Sequence, residues 1–236
     1  MSRSSHHHYP PPSLPRAPHV HPAVAELVAQ PVVQGADGLD LLRQSSRPKT
    51  THVLVFDTET TGRDHDARIV EIALAKVCLA TGEIISARSS LVNPGCAIPR
   101  EVSAIHGITD AAVRQSPSIV DVLPKVLALA VKSGLVMVAH NASFDLARIR
   151  YEAQRCDVSL PGTIPVYCSL KASRLLHRTT GHGLAVVAQR YGVTVADAHR
   201  AMGDVTMLAA VLPHLLKRPD AQGRDFRECF PLEAML

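Results

Sequence analysis

Four apolar residues, Val53-Leu54-Val55-Phe56, run directly into Asp57-Thr58-Glu59-Thr60-Thr61-Gly62, and this junction constrains the fold more than any other stretch. The apolar run reads as a short strand over Val53–Asp57. Side chains alternate along a strand, so Asp57 and Glu59 leave its end on one face. Two carboxylates that close repel strongly once they are removed from water. A divalent cation between them resolves the conflict, and carboxylate oxygens suit the hard ions Mg²⁺ and Mn²⁺. Asp and Thr-Gly are also ordinary turn residues after a strand, so the stretch alone leaves both readings open.

Composition narrows the choices. A chain of 236 residues with 46% hydrophobic content buries a full core, and one α/β domain with tails is the expectation. No apolar run approaches the roughly 18 residues of a membrane span, and no continuous apolar segment follows the first residues as a secretory signal would require. The five cysteines (Cys78, Cys96, Cys156, Cys168 and Cys229) are scattered and form no C-x-x-C pair. That pattern fits reduced thiols in a cytoplasmic protein, not a disulfide frame or a zinc site. Residues 1–50 carry five basic against three acidic side chains, so only +2 of the net +4 belongs to the rest. A nearly neutral domain is not a binder that tracks phosphates with many Lys and Arg contacts. Aromatics at 3%, with no tryptophan, argue against a base-stacking platform of the single-strand-binding type. An enzyme gripping a few nucleotides through metal ions fits both observations.

Residues 1–22 are rich in Pro, His and Ser and read as disordered, and their His cluster reads as a solvated tail. Short helices are expected over 23–30 and 39–44, and the ordered unit begins near Thr50, giving a Pro/His-rich extension over 1–49. From there, strands at 53–57, 68–77 and 84–92 follow one another through short turns, as in an antiparallel meander. Helices at 99–106 and 119–132 come next, then a strand at 135–139 and a helix at 143–156. A strand at 164–168 and helices at 170–176, 184–191 and 201–216 complete the pattern, with Pro213 kinking or ending the last. A meander followed by βαβ-type crossovers is a mixed sheet covered by helices. The domain closes at 217, and 218–236 is a tail without pattern.

Two further clusters carry chemistry. His140-Asn141-Ala142-Ser143-Phe144-Asp145 follows the strand at 135–139, at the carboxyl end where open α/β sheets place ligands. Asn141 or Ser143 as a helix cap, and Asp145 as a partner of the helix dipole, are the structural alternatives. His199-Arg200-Ala201-Met202-Gly203-Asp204 leads into an apolar helix, and Asp204 has the same dipole alternative. Jointly, Asp57, Glu59, Asp145 and Asp204 lack matching fixed cations. They make a poor structural cluster and a good two-metal site.

Phe56–Gly62, His140–Asp145 and His199-Arg200-Ala201-x-x-Asp204, in that order, resemble the three motifs of the DEDDh (DnaQ-like) 3′→5′ exonuclease superfamily. Asn93-Pro94, Ile98-Pro99 and Ile105–Thr109 extend the likeness toward the proofreading epsilon subunit of bacterial DNA polymerase III. The match covers about residues 50–216. The resemblance implies a ribonuclease H-like α/β fold, a five-stranded mixed sheet flanked by helices. It also implies hydrolysis of single-stranded nucleic acid from the 3′ end to nucleoside 5′-monophosphates, with DNA expected over RNA. Two divalent ions, Mg²⁺ or Mn²⁺, would be held by Asp57, Glu59, Asp145 and Asp204, with Asp57 bridging and His199 as general base. Thr60, Thr61 and Gly62 would seat the 3′ hydroxyl through their backbone, and His106, Asn141 and Phe144 would line the nucleotide pocket. Phe144 also reads as a core residue. A DNA polymerase subunit is the protein partner the likeness implies, although no clamp-binding peptide follows the domain. A non-catalytic module that binds a polymerase or a 3′ end is the reading from another class.

Overall fold

The computed structural model describes residues 52–160, 164–177, 181–194, 197–216 and 233–234. Strands β1 (His52–Thr60), β2 (Ile69–Cys78) and β3 (Ile84–Leu91) form the expected antiparallel meander. Helices α1 (Arg100–His106), α2 (Asp110–Val113) and α3 (Ile119–Ser133) carry the chain to β4 (Met137–Ala139). Then follow α4 (Ala142–Arg155), β5 (Pro165–Cys168), α5 (Ser169–Leu176), α6 (Leu184–Arg190) and α7 (Ala201–Leu216). β4 pairs parallel with β1, and β5 parallel with β4. The five-stranded mixed sheet is therefore ordered β3-β2-β1-β4-β5. A two-residue strand, β6 (Glu233–Ala234), pairs antiparallel with β5 and extends that edge, where the sequence showed no pattern.

β1 lies between β2 and β4, and its alternation divides the protein into two layers. Leu54 and Phe56 pack with residues of α3 and α4. Val53 and Val55 pack on the opposite face with residues of α5, α6 and α7. Both faces are covered, which is why the run has no polar alternation before Asp57.

The strand before α4 is shorter than its apolar run, because only Met137–Ala139 join the ladder. α2, four residues capped by the Thr109 hydroxyl, is too short for a periodic signal. Pro213 sits inside α7 without ending it. A proline cannot donate to the carbonyl four residues back, and the turn at Gly82 packs against that carbonyl, on Ala209. A Cβ on Gly82, whose φ is +77°, would lie 2.6 Å from the Ala209 oxygen, so only glycine fits. The expected helices before residue 50, the His-rich segment and the rest of the tail lie outside the described residues.

Candidate metal-dependent active site

The alternation of β1 continues past its apolar run. Asp57 and Glu59 share the face of Val53 and Val55, under α7, and Thr58 shares the face of Leu54 and Phe56, toward α4. Asp204, in the first turn of α7, descends onto the first face. Carboxylate oxygens of Asp57, Glu59 and Asp204 lie within 4.8 Å of one another. Asp145, in the first turn of α4, arrives from the other layer. Its Oδ1 accepts from the Thr58 backbone N–H at 3.1 Å and from the Thr58 hydroxyl at 2.7 Å. β4 ends at Ala139, and Asp145 takes up a donor of β1 beyond it. The four acids thus meet at one end of the sheet from three elements on two layers.

Their electrostatics show what this cluster lacks. Burial first, then Asp145, Asp204 and Glu59, hold the Asp57 carboxyl well above the usual carboxylate range. Burial, followed by Asp204 and Glu71, pushes Glu59 up to about 8, with Arg200 pulling the other way. Asp204 is raised by burial despite the N–H it accepts. Asp145 is also raised by burial, and its bonds to Thr58 offset part of the effect. Carboxylates this crowded bind protons in place of a missing positive charge. The donor set is all oxygen, which fits Mg²⁺ or Mn²⁺.

His199 lies at the exposed rim of this cluster. Its backbone is left-handed, at φ 63°, and its N–H donates to Asp204 Oδ1 at 3.3 Å. The next residue, Arg200, forks onto Glu71 of β2, with Nε to Oε2 at 3.0 Å and Nη2 to Oε1 at 2.8 Å. Glu71 Oε2 also accepts from the N–H of Ala201, the first residue of α7, at 3.0 Å. Sequence reasoning passed over Glu71. A charge inside the otherwise apolar run Ile69-Val70-Glu71-Ile72 was the available signal.

The other candidates surround the acids. Thr60 and Thr61 are buried where β1 leaves the sheet, and the β1–β2 register shifts between Glu59 and Thr60. The Thr60 hydroxyl donates to the Gly62 carbonyl at 2.6 Å. The Thr61 N–H is committed to the Arg68 carbonyl at 2.8 Å, so this amide is already engaged. His106 is buried beneath them. Its Nδ1 accepts from the Ile108 N–H at 3.0 Å, which leaves the proton on Nε2 to donate to the Thr60 carbonyl at 3.2 Å. Burial lowers the His106 pKa, consistent with a neutral ring. His106 thus holds the Thr60 backbone from within the fold.

Asn141 occupies the N-cap position of α4 but is left-handed, at φ 71°, and its side chain makes no cap bond. The cap alternative is overturned for Asn141, whose exposed amide contacts the Ser143 hydroxyl at 3.4 Å. Phe144 is half-buried, with the Arg148 guanidinium 5.3 Å from its ring centre and Tyr151 on that guanidinium's other contact at 5.0 Å. Arg148 also donates to the Asp64 carbonyl. Arg155 donates to the His65 carbonyl at 2.9 Å, and Glu152 accepts from Arg68 Nε at 2.8 Å and the Ile69 N–H at 3.0 Å. One helix thus straps the β1–β2 loop beside Phe144, an arrangement that sequence reading did not anticipate. His140 is not among the acids. It contacts the Ser169 hydroxyl at 2.9 Å and the His182 carbonyl at 2.8 Å, tying β4 to α5, and burial lowers its pKa to about 4.

With this geometry in place, the likeness to known proteins is specific. The exonuclease family model RNase_T matches residues 54–212. A Mycobacterium tuberculosis protein, named as a bifunctional exonuclease/endonuclease, is 37% identical over 190 residues, 76% of this chain and 28% of that protein. A DNA polymerase III subunit epsilon-like protein of Rhodobacter capsulatus is 33% identical over 197 residues, 80% of this chain and 27% of that protein. The chain therefore spans about a quarter of the length of these curated relatives. Exonuclease X, solved in complex with 5′ overhanging duplex DNA, superposes with a TM-score of 0.56 at 29% identity, covering 74% of this chain and 99% of that one. The fold is ribonuclease H-like. Matched by the family model over most of its described length and carrying the acids of all three motifs at one end of its sheet, the chain belongs to the RNase_T exonuclease family, within the DEDDh (DnaQ-like) superfamily.

Proposed function

We propose that this domain is a divalent-metal-dependent 3′→5′ exonuclease that removes nucleoside 5′-monophosphates from single-stranded DNA ends. The observation that carries the reading is the carboxylate cluster: ligand oxygens of Asp57, Glu59 and Asp204 all within 4.8 Å of one another, an all-oxygen set that suits a hard divalent cation. Two Mg²⁺ or Mn²⁺ ions held by Asp57, Glu59 and Asp204, and by Asp57 and Asp145, would supply charge that polarises the scissile phosphate and acidifies the attacking water. His199, at the exposed rim, takes the proton of that water as its oxygen attacks phosphorus. The bond to the 3′ oxygen breaks, and that oxygen takes a proton from solvent to become the hydroxyl of the shortened strand, while His199 returns its proton to solvent. Thr60, Thr61 and Gly62, with His106 behind them, form the surface for the terminal 3′ hydroxyl, and Phe144 and Asn141 border the nucleotide. The Thr60 carbonyl, oriented by His106, is the natural acceptor in that stretch.

DNA is favoured over RNA by the company the chain keeps: a relative named for DNA polymerase III, and Exonuclease X solved on DNA. A DNA polymerase subunit is the protein partner this reading names. Among the described residues no helix is long and apolar enough to cross a membrane.

The test is digestion of 5′-labelled single-stranded DNA and RNA of equal length, with Mg²⁺, Mn²⁺ or EDTA. Stepwise shortening of DNA from the 3′ end, abolished by EDTA, is expected. Faster shortening of the RNA would overturn the DNA assignment, and activity undiminished in EDTA would overturn the metal requirement.

A further inference from the structure

Glu71 is a carboxylate set among the apolar residues Ile69, Val70 and Ile72 of β2, and it is only 4% exposed. In the β1–β2 register it lies directly opposite Glu59. Opposed like charges on neighbouring strands repel, and this pair adjoins a cluster already rich in acids. A residue in that place needs a compensating partner, and Arg200 supplies one through two parallel bonds of 3.0 and 2.8 Å. This forked geometry is specific to a guanidinium on a carboxylate. The same carboxylate takes the N–H of Ala201. One buried side chain therefore binds three donors on the two residues that immediately follow His199.

The segment before α7 is shaped to meet this anchor. Asp197 and His199 are both left-handed, at φ 49° and 63°. The Asp197 carbonyl lies against Gly203, where an added Cβ would collide with it. His199 is held on its other side by its own N–H, bound to Asp204. Its side chain, by contrast, is exposed. An exposed ring on a loop gains its aim from the backbone beneath it.

We infer that Glu71, acting through Arg200 and the first amide of α7, is a positioning residue that aims the His199 ring at the site of water attack. The inference rests on the reading of His199 as general base. It assigns Glu71 no contact with substrate. It explains why a costly buried acid stands opposite Glu59: the fork reaches across from β2 and fixes the start of α7, and with it the residue just before.

A double-mutant cycle on the full chain tests this. The readouts are kcat and KM on labelled single-stranded DNA with Mn²⁺, together with Mn²⁺ affinity by titration calorimetry. Glu71→Gln should lower kcat by roughly 10- to 100-fold, the range for a misplaced reacting group, with KM and Mn²⁺ affinity within about threefold of the parent. Arg200→Met should match it, and Arg200→Lys should recover little, because an ammonium cannot reproduce the fork. In a His199→Ala background, Glu71→Gln should change kcat by less than about twofold, since residues acting as one unit are not additive. If Glu71→Gln still imposes its full factor on a slow His199→Ala enzyme, the positioning inference falls alone. A parental rate for His199→Ala by itself removes the base assignment, and this inference with it. Unchanged kcat in Glu71→Gln also overturns it. The Arg200 side chain is 46% exposed, so Arg200→Met carries the same cycle if Glu71→Gln does not fold.

Discussion

Asp145 and the Asp57–Glu59–Asp204 trio meet at the same end of the sheet, yet they are held in opposite ways. Asp145 is 2% exposed and accepts twice from Thr58, bonds that offset part of the cost of its burial. The trio is half-buried and packed acid against acid. Among the described residues, only Asp204 of the three has a donor, the His199 N–H. Asp145 is braced by Thr58, whereas the trio is crowded, and in the proposed reading a cation completes it. Electrostatic cost is present on both sides, but at Asp145 the Thr58 donors offset part of it, whereas in the trio each acid adds to the cost of its neighbours.

The largest effect that would break this contrast is at Asp57. Asp57→Asn should lower the exonuclease rate by roughly three orders of magnitude or more, as loss of a central member of a catalytic unit does. The same variant should melt higher than the parent in EDTA near neutral pH, because an amide removes the cost of burying a carboxyl among other acids. A lower melting temperature in EDTA would mean that Asp57 stabilises the metal-free fold, contrary to its raised pKa.

An intermediate effect concerns pH. The Glu59 carboxyl is raised from an ordinary 4.5 to about 8. Below about 4.5 it is protonated in both folded and unfolded chains. Between there and about 8 the unfolded chain releases the proton while the folded chain retains it, so stability falls as pH rises through that window. Asp57, Asp145 and Asp204 are shifted in the same direction. In EDTA the trio's contribution should therefore lower the melting temperature from pH 5 to pH 8. Mn²⁺ should raise it more at pH 8 than at pH 5, since a bound cation removes the repulsion. An equal gain at both values, read by scanning calorimetry, would count against the crowded-trio description.

The smallest effect sharpens the Asp145 side. Thr58→Val removes the 2.7 Å hydroxyl bond and keeps the backbone one. The loss should be about 1 kcal/mol, or roughly 2–4 °C in melting temperature for a domain of this size. The Glu59 and Asp57 shifts should be little altered, so the gain from Mn²⁺ should survive. If Thr58→Val abolished that gain, the two sides would not be separable.

Much of the site was legible before any fold was known, and the reason lies in local geometry. Asp57 and Glu59 share a face because strands alternate, and the structure shows that face continuing from Val53 and Val55 to meet α7. Asp145 and Asp204 each lie in a first helical turn after a readable boundary. What escaped was of another kind. α2 is too short to show a period. Pro213 reads as a helix breaker, but the helix tolerates it where the Gly82 turn packs on the released carbonyl. Asn141 looks like a cap in a string of letters, and its left-handed backbone turns the amide outward.

The amino-acid order by itself determined the strands, most helices, and which four acids and one histidine could form a metal-dependent site, because each depends on neighbours a few residues away. The tertiary structure alone decided how they are held. Thr58 and Asp145 are 87 residues apart, and Glu71 and Arg200 are 129 apart. Such pairs meet only when β1 sits between β2 and β4 and the two helical layers close over it. No local period records that closure, which is why the acids could be named from the sequence while the groups that orient them could not.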